Sequence, residues 1–333
     1  VPGSPAIRFA GQVAGGAVAG LQVVLEFATV GEAPAQLSVS NYAGTEAGPW
    51  QSFRTPLPWA LLPGADGTRT VYARFRDAAG NATDGLEASV RVDLTAPQSP
   101  VVLVEGDAAY TNRQTGVSLT LLVDDPDPGT ALLLSNCPDF CAGAGCDPCC
   151  NTLADWIPYE PFYESWGFAG CADGQQTVFA RFRDAAGNES FAAHDSIRLD
   201  RAPPAIATFA VQSDAPATSS VSVLLTTGAS EPAASLKVSF VEAADCTAVD
   251  FAAAPRQALT EYTTFLLSSG DGSKTVCARL EDEAGNPSAP AGDSIFLDTQ
   301  PPFPPVIRER GGLASGSSYS LSLIGAASDP APS

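Results

Sequence analysis

The chain has 333 residues, 45% of them hydrophobic and only 16% charged, which is enough apolar material for several packed cores and too much for an acidic disordered tail. Seventeen Lys and Arg stand against 37 Asp and Glu, a formal charge of −20, so a phosphate-binding surface is excluded and no nucleic-acid partner is expected. Gly (30) and Pro (28) are spread throughout, which rules out long helices, and no apolar run reaches the ~18–20 residues of a membrane span. Met is absent even at position 1, consistent with a processed chain or a piece of a longer one.

In chain order, alternating apolar residues predict strands over 21–27 and 36–40. A third is predicted over 70–77, where Val71, Ala73 and Phe75 alternate with Tyr72, Arg74 and Arg76. Residues 77–81, Asp-Ala-Ala-Gly-Asn, read as a turn in which Asp accepts backbone bonds and Gly and Asn tolerate positive φ. A strand over 89–94 leads back along the previous one.

The same order then recurs. DGTRTVYARFRDAAGN begins at Asp66, DGQQTVFARFRDAAGN at Asp173 and DGSKTVCARLEDEAGN at Asp271, offsets of 107 and 98. Each is followed by a strand running into a Pro linker that ends at Pro97, Pro204 or Pro302, with the same two offsets. Upstream, 117–123 and 131–135 in the second copy, and 221–225 and 235–240 in the third, match the early strands of the first. Short strands at roughly ten-residue spacing with Pro and Gly turns predict β-sandwiches, and three self-similar units cannot share one small barrel. The expected domains are 1–97, 98–204 and 205–302. Residues 303–333 start a fourth, incomplete one with strands at 306–308 and 319–324. Leu321, Leu323 and Ile324 would then need cover from further chain or a neighbouring molecule.

The pattern DGxxTVYxxxxDxAGN followed by DxTxPP resembles the bacterial extracellular immunoglobulin-like (fibronectin-III-like) tandem repeats. The aromatic positions fit it: Trp50, Phe53 and Trp59 in the first copy, and Trp156, Tyr159 and Trp166 in the second. The third departs, with Phe251 and Phe265 but no Trp. The resemblance implies an all-β chain of sandwiches in a rod, stiffened at its Pro-bearing joints, outside the cell or at its surface. It further implies a non-enzymatic stalk, adhesin shaft or filament and surface-assembly subunit, whose partners are other copies of itself or further domains of a longer chain. Two alternatives stay open: a module that binds a glycan or surface protein through the cysteine loop of the second unit, and the non-catalytic stalk of a secreted hydrolase.

Several residues invite a sharper chemistry. Cys137, Cys141, Cys146, Cys149, Cys150 and Cys171 frame an insertion, with the Cys-rich loop at 137–150. Cys146-Asp-Pro-Cys149 could belong to a zinc or iron-sulfur site, but an even cysteine count in a chain with one His favours disulfides. Spacing does not choose among the 15 pairings. Cys277 takes the repeat position of Tyr72 and Phe179, and its expected partner is Cys246 on the neighbouring strand. Such a bridge would contribute about 3–4 kcal/mol in the chain-entropy model. Asp124, Asp125 and Asp127 could supply the oxygen ligands calcium prefers, so no cofactor is expected unless it is calcium, and a solvated turn is the preferred explanation of the three. Asp93, Asp200 and Asp298 recur at the junctions, where they could bind calcium or cap the linker. Glu160 and Glu164 could be imagined as glycosidase carboxylates, but they sit in a segment with no repeat counterpart. His194, with no second His and no adjacent nucleophile, is expected at the surface. Asn81-Ala-Thr83 and Asn188-Glu-Ser190 match the glycan acceptor pattern, yet both belong to the repeated turn. The Arg74 and Arg76 stripe, and its counterpart Arg181 and Arg183, should lie under the aromatic loop of its own domain.

Overall fold

In the first repeat the alternating run becomes a strand, Gly67–Arg76, with Val71, Ala73 and Phe75 buried and Tyr72, Arg74 and Arg76 partly exposed. In this computed structural model the described residues are 6–10, 16–29, 33–44, 48–124, 129–141 and 147–302. The long strand pairs antiparallel with Leu86–Val92 on one side and Gln36–Ser40 on the other. Gln51–Ser52 extends the sheet beyond Gln36–Ser40, and Ala17–Val18 runs parallel to Leu86–Val92 at its opposite edge. The second sheet has three antiparallel strands in the order Ala6–Phe9, Gln22–Ala28, Leu57–Ala60. Leu25 and Phe27 of this sheet meet Leu37, Val39, Phe75 and Val90 of the other, each at most 7% exposed. Every large apolar side chain so buried contributes roughly 1.5–3 kcal/mol. Phe27 and Phe75 meet edge to face with ring centres 5.4 Å apart.

The second and third repeats keep this order strand for strand. In the second, Gln98–Val104, Thr115–Asp124 and Phe162–Gly167 form the small sheet. Its large sheet runs Tyr110–Thr111, Ala193–Leu199, Gly174–Arg183, Ala131–Ser135, Ile157–Pro158. In the third, Ile206–Val211, Ser222–Ala229 and Tyr262–Leu266 face Ala217–Thr218, Ala291–Leu297, Gly272–Glu281, Lys237–Glu242 and Gln257–Ala258. Three strands packed on five, with the chain crossing between sheets early in each repeat, is the immunoglobulin-like sandwich. The chain divides into two units, Val1–Ala109 with Arg113–Leu199, and Tyr110–Asn112 with Asp200–Ser333. The first unit carries two sandwiches and the second carries one.

Some boundaries differ from the sequence expectation. The long strands begin at Gly67, Gly174 and Gly272, because the Gly after each Asp enters the strand at φ of 141°, 134° and 133°. The expected 235–240 strand starts instead at Lys237, after a short 3-10 turn at Ala233–Ser235. The expected strands of the fourth unit, 306–308 and 319–324, lie outside the described residues.

Candidate functional site: the repeated turn and what it holds

The turn that closes each long strand is built around one carboxylate. Asp77 accepts the Asn81 backbone N–H at 2.8 Å and the Asn81 side-chain amide at 2.7 Å. Asp184 does the same for Asn188 at 2.8 and 2.7 Å, and Asp282 for Asn286 at 2.8 and 2.8 Å. The Gly before each Asn carries the positive φ (93°, 103° and 88°), whereas the Asn, expected to share that task, does not. Its contribution is its amide. Donation from the Asn81 side chain and backbone holds the Asp77 carboxyl below the usual carboxylate range. Two residues beyond the Asn, Thr83, Ser190 or Ser288 accepts from the backbone N–H of Phe75, Phe182 or Leu280 at 3.1, 3.0 and 2.9 Å. The third copy, Asn286-Pro287-Ser288, keeps this geometry with a Pro that no glycan acceptor tolerates, so turn chemistry suffices to explain the Asn-x-Ser/Thr spacing.

An amide has a second proton, and here it reaches across the sequence. Asn188 donates to the main-chain carbonyl of Asp93 at 3.0 Å, and Asn286 to that of Asp200 at 2.9 Å. The acceptors head the linkers that enter the second and third repeats. Their own carboxylates cap those linkers, Asp93 accepting from Thr95 N–H and Asp200 from Ala202 N–H, both at 3.1 Å, and Asp298 does the same after the third repeat, accepting from Gln300 N–H at 3.0 Å. In the first and third repeats the Asp of the Asp-Gly pair secures the same stretch. Asp66 accepts from the Thr95 hydroxyl and Leu94 N–H, and Asp271 from the Thr299 hydroxyl and N–H. The Thr hydroxyls are the first cause of the lowered pKa of both carboxyls.

The outer face of each long strand is roofed by aromatics. Arg76 lies 4.5 Å from the centre of the Trp50 ring, Arg183 4.4 Å from Trp156, Arg181 4.6 Å from Phe140 and Arg279 4.7 Å from Phe251. Arg76, Arg181 and Arg183 of the stripe are therefore stacked within their own repeats, while Arg74 donates to the Thr83 carbonyl at 3.4 Å. Two further anchors have no obvious sequence signal: the Trp59 indole donates to Asn41 Oδ1 at 2.8 Å, and the Trp166 indole to Asn136 Oδ1 at 2.7 Å.

The cysteines fasten what the small cores cannot. Cys137 is bonded to Cys150 and Cys149 to Cys171, so two adjacent residues send their bridges in different directions. Cys149 and Cys171 join the second core, and Asn136 ties the same loop by donating to the Cys149 and Gly167 carbonyls at 3.1 and 3.2 Å. Cys141 is disulfide-bonded, and Cys146 lies outside the described residues. Cys246 is bonded to Cys277, with Cα atoms 5.3 Å apart. Opposite Cys277 stands Gly292, where a Cβ would sit 2.4 Å from Cys246 Sγ. The equivalent cross-strand pairs are Tyr72 with Glu87 and Phe179 with His194. The third repeat thus carries the small Cys277 in place of the ring and Gly292 in place of the facing side chain, which leaves room for the bridge.

The other candidate residues are not gathered into a site. Asp124 is exposed at a strand end, while Asp125 and Asp127 lie outside the described residues. Among the described residues no group of three His, Cys, Asp or Glu side chains is placed to hold a metal. Glu160 and Glu164 are both exposed, Glu164 on the strand Phe162–Gly167 and Glu160 before it. His194 is exposed, its ring 5.8 Å from that of Phe179. No helix of the described residues is long and apolar enough to cross a membrane.

No family model and no curated protein matches the chain in sequence. Among solved structures, the fibronectin(III)-like modules of Clostridium thermocellum CbhA align at 14% identity and TM-score 0.39, over 59% of this chain and 94% of theirs. The FN1–FN3 domains of chicken CNTN1 align at 14% identity and TM-score 0.38, over 89% and 98%. A tetra-tandem repeat from the extending region of a large adhesion protein aligns at 20% identity and TM-score 0.26, over 90% and 75%. The strand order within each repeat identifies the sandwich.

Proposed function

We propose that the chain is a non-catalytic, extracellular structural repeat protein: a stalk, adhesin shaft or surface-assembly subunit made of immunoglobulin-like repeats at 1–97, 98–204 and 205–302. The observation that carries this reading is the recurring bond from Asn188 to the Asp93 carbonyl and from Asn286 to the Asp200 carbonyl. The side chain that completes a repeat's own turn also grips the linker by which the chain enters that repeat. A device repeated at each joint serves a spacer better than a binding cleft. The disulfides favour an oxidising compartment, which supports a location outside the cell. Other copies of the chain, or further repeats of a longer one, are the natural partners.

Single-molecule pulling on the full chain tests the reading. Three separate unfolding events are expected, one per repeat. The third repeat, offset from the second by 98 residues, would release roughly 340 Å of chain if unbridged. The Cys246–Cys277 bridge, spanning 31 residues, withholds roughly 110 Å of it until reduced. One cooperative event, or extension without force peaks, would contradict a load-bearing array of independent repeats.

A further inference from the structure

We propose that the edge strand Tyr262–Leu266 of the third repeat is a dimer interface, pairing antiparallel with the same strand of a second copy of the chain. The inference rests on the structural reading above, which takes other copies as partners, and assigns the surface they use. The strand closes one side of the small sheet, and no strand of the described residues pairs with its outer side. The Glu261 carbonyl accepts from Thr227 N–H, and Leu267 N–H donates to the Val221 carbonyl, both toward the sheet. Backbone groups alternate along a strand, so those of Tyr262, Thr264 and Leu266 point to the open edge. The Tyr262 carbonyl accepts from the Thr260 hydroxyl at 3.0 Å and keeps a second lone pair. The side chains of Tyr262 and Leu266 are 57% and 70% exposed.

The other two repeats guard this edge, each by a different device. In the first, Leu61 N–H donates to the Leu21 carbonyl as Leu267 does to Val221, which places Pro56, Pro58 and Ala60 at the positions of Tyr262, Thr264 and Leu266. Two of the three outward donors are thus missing, and the Ala60 carbonyl already accepts from the Asn41 side chain. In the second, Leu121 N–H donates to the Pro161 carbonyl as Thr227 does to Glu261, which places Glu164 at the position of Thr264. That carboxylate is exposed, and the register of its strand shifts twice against Thr115–Asp124. The third repeat has neither Pro, charge nor register shift along Tyr262–Leu266.

The sequence Tyr-Thr-Thr-Phe-Leu fits its own copy. Antiparallel pairing centred on Thr264 sets Thr264 against Thr264, and each Tyr262 against Leu266 of the other copy. Those are the outward-pointing residues, so each pair can exchange both of its backbone bonds. The ring of Tyr262 then packs on Leu266, a favourable cross-strand pair, beside Leu224, which is 40% exposed. The flanking Glu261 falls opposite Leu267, so the two copies' carboxylates lie roughly 20 Å apart along the strands and are largely screened. A two-fold axis through Thr264 closes the assembly at two chains.

The test is sedimentation equilibrium and amide exchange on the full chain over a range of concentrations. The mass should rise toward twice that of the chain, while the Tyr262, Thr264 and Leu266 amides slow by about tenfold or more. Thr264→Glu, which copies the second repeat, should abolish both effects, and Leu266→Thr should weaken the dimer several-fold. Protection of Gly272–Glu281 in each variant checks that the repeat still folds. A monomer at every concentration with these amides unprotected, the long strands of all three repeats remaining protected, would overturn the interface and leave the array reading standing. Unprotected long strands would overturn that reading itself. A monomer whose edge amides are protected at every concentration would assign the edge to another part of the same chain, against the second copy proposed. A dimer that survives both substitutions would place the contact elsewhere and overturn the proposal.

Discussion

The second and third repeats share every strand and differ in how they are fastened. The second has one continuous core in which Trp166, Phe168 and Phe182 are at most 1% exposed. The third has two smaller clusters, one around Val223, Leu225 and Val276 and the other around Val238, Leu259 and Leu280, with Phe240 packed against both. Phe265 stands opposite Val223 where Trp166 stands opposite Val117. The smaller ring leaves less apolar surface buried, and the third repeat is tied from its central strand, Cys277, to Cys246, where the second is tied through its loop by Cys137–Cys150 and Cys149–Cys171. The lesson is that one frame accepts its covalent ties in different places, in the long loop of the second repeat and on the central strand of the third. The tie on the central strand needs a vacancy, which Gly292 provides.

The comparison can be broken in graded ways. Trp166→Ala should cost the second repeat about 4 kcal/mol, since it opens a cavity and leaves Asn136 without its indole donor. Phe265→Ala, at a half-buried ring, should cost the third repeat clearly less; denaturant unfolding with repeat-specific probes measures both. Replacing Cys246 and Cys277 together by Ser and Ala should cost the third repeat about 3–4 kcal/mol while leaving the first, which has no cysteine, unchanged. Gly292→Ala should cost about 1–3 kcal/mol with the bridge closed, and much less after reduction, when Cys246 can move away. A penalty that survives reduction would mean that the glycine serves something other than the bridge.

Smaller effects sharpen the account at the joints. Asn286→Ala removes the donors to both Asp282 and the Asp200 carbonyl and should cost about 1–2 kcal/mol, seen as faster exchange at Gly285. The pH effect has a fixed sign. Asp66, Asp77 and Asp271 have carboxyls lowered in the folded chain, so their stabilisation is present above about pH 4, the unfolded value, and is lost as pH falls through their folded values. Acid titration followed at the Leu94 and Thr299 amides should show both linkers loosening below about pH 4 and not above it.

Much of the frame was legible because apolar period-two runs and Asp-Gly turns are local signals. Val71, Ala73 and Phe75 announced a core-facing strand, and the shared position of Tyr72, Phe179 and Cys277 pointed to Cys246 as the partner. The pairing in the second repeat was not legible, because adjacent Cys149 and Cys150 take partners 22 and 13 residues away in opposite directions. Nor were the joint bonds. Asn188 and Asn286 reach carbonyls 95 and 86 residues away, and a main-chain acceptor leaves no mark in the sequence. The Asn41–Trp59 and Asn136–Trp166 pairs were hidden similarly, with separations of 18 and 30 residues that follow loop length and no fixed spacing.

Native-state hydrogen exchange of the full chain, with and without reductant, tests most directly the claim that one frame is fastened in different ways. The cysteine-free first repeat is the internal reference. Reduction should lower the opening free energy of the Gly272–Glu281 strand by about 3–4 kcal/mol, a several-hundred-fold acceleration, while exchange in Gly67–Arg76 stays constant. Equal acceleration in both strands, or none in the third repeat, would contradict it.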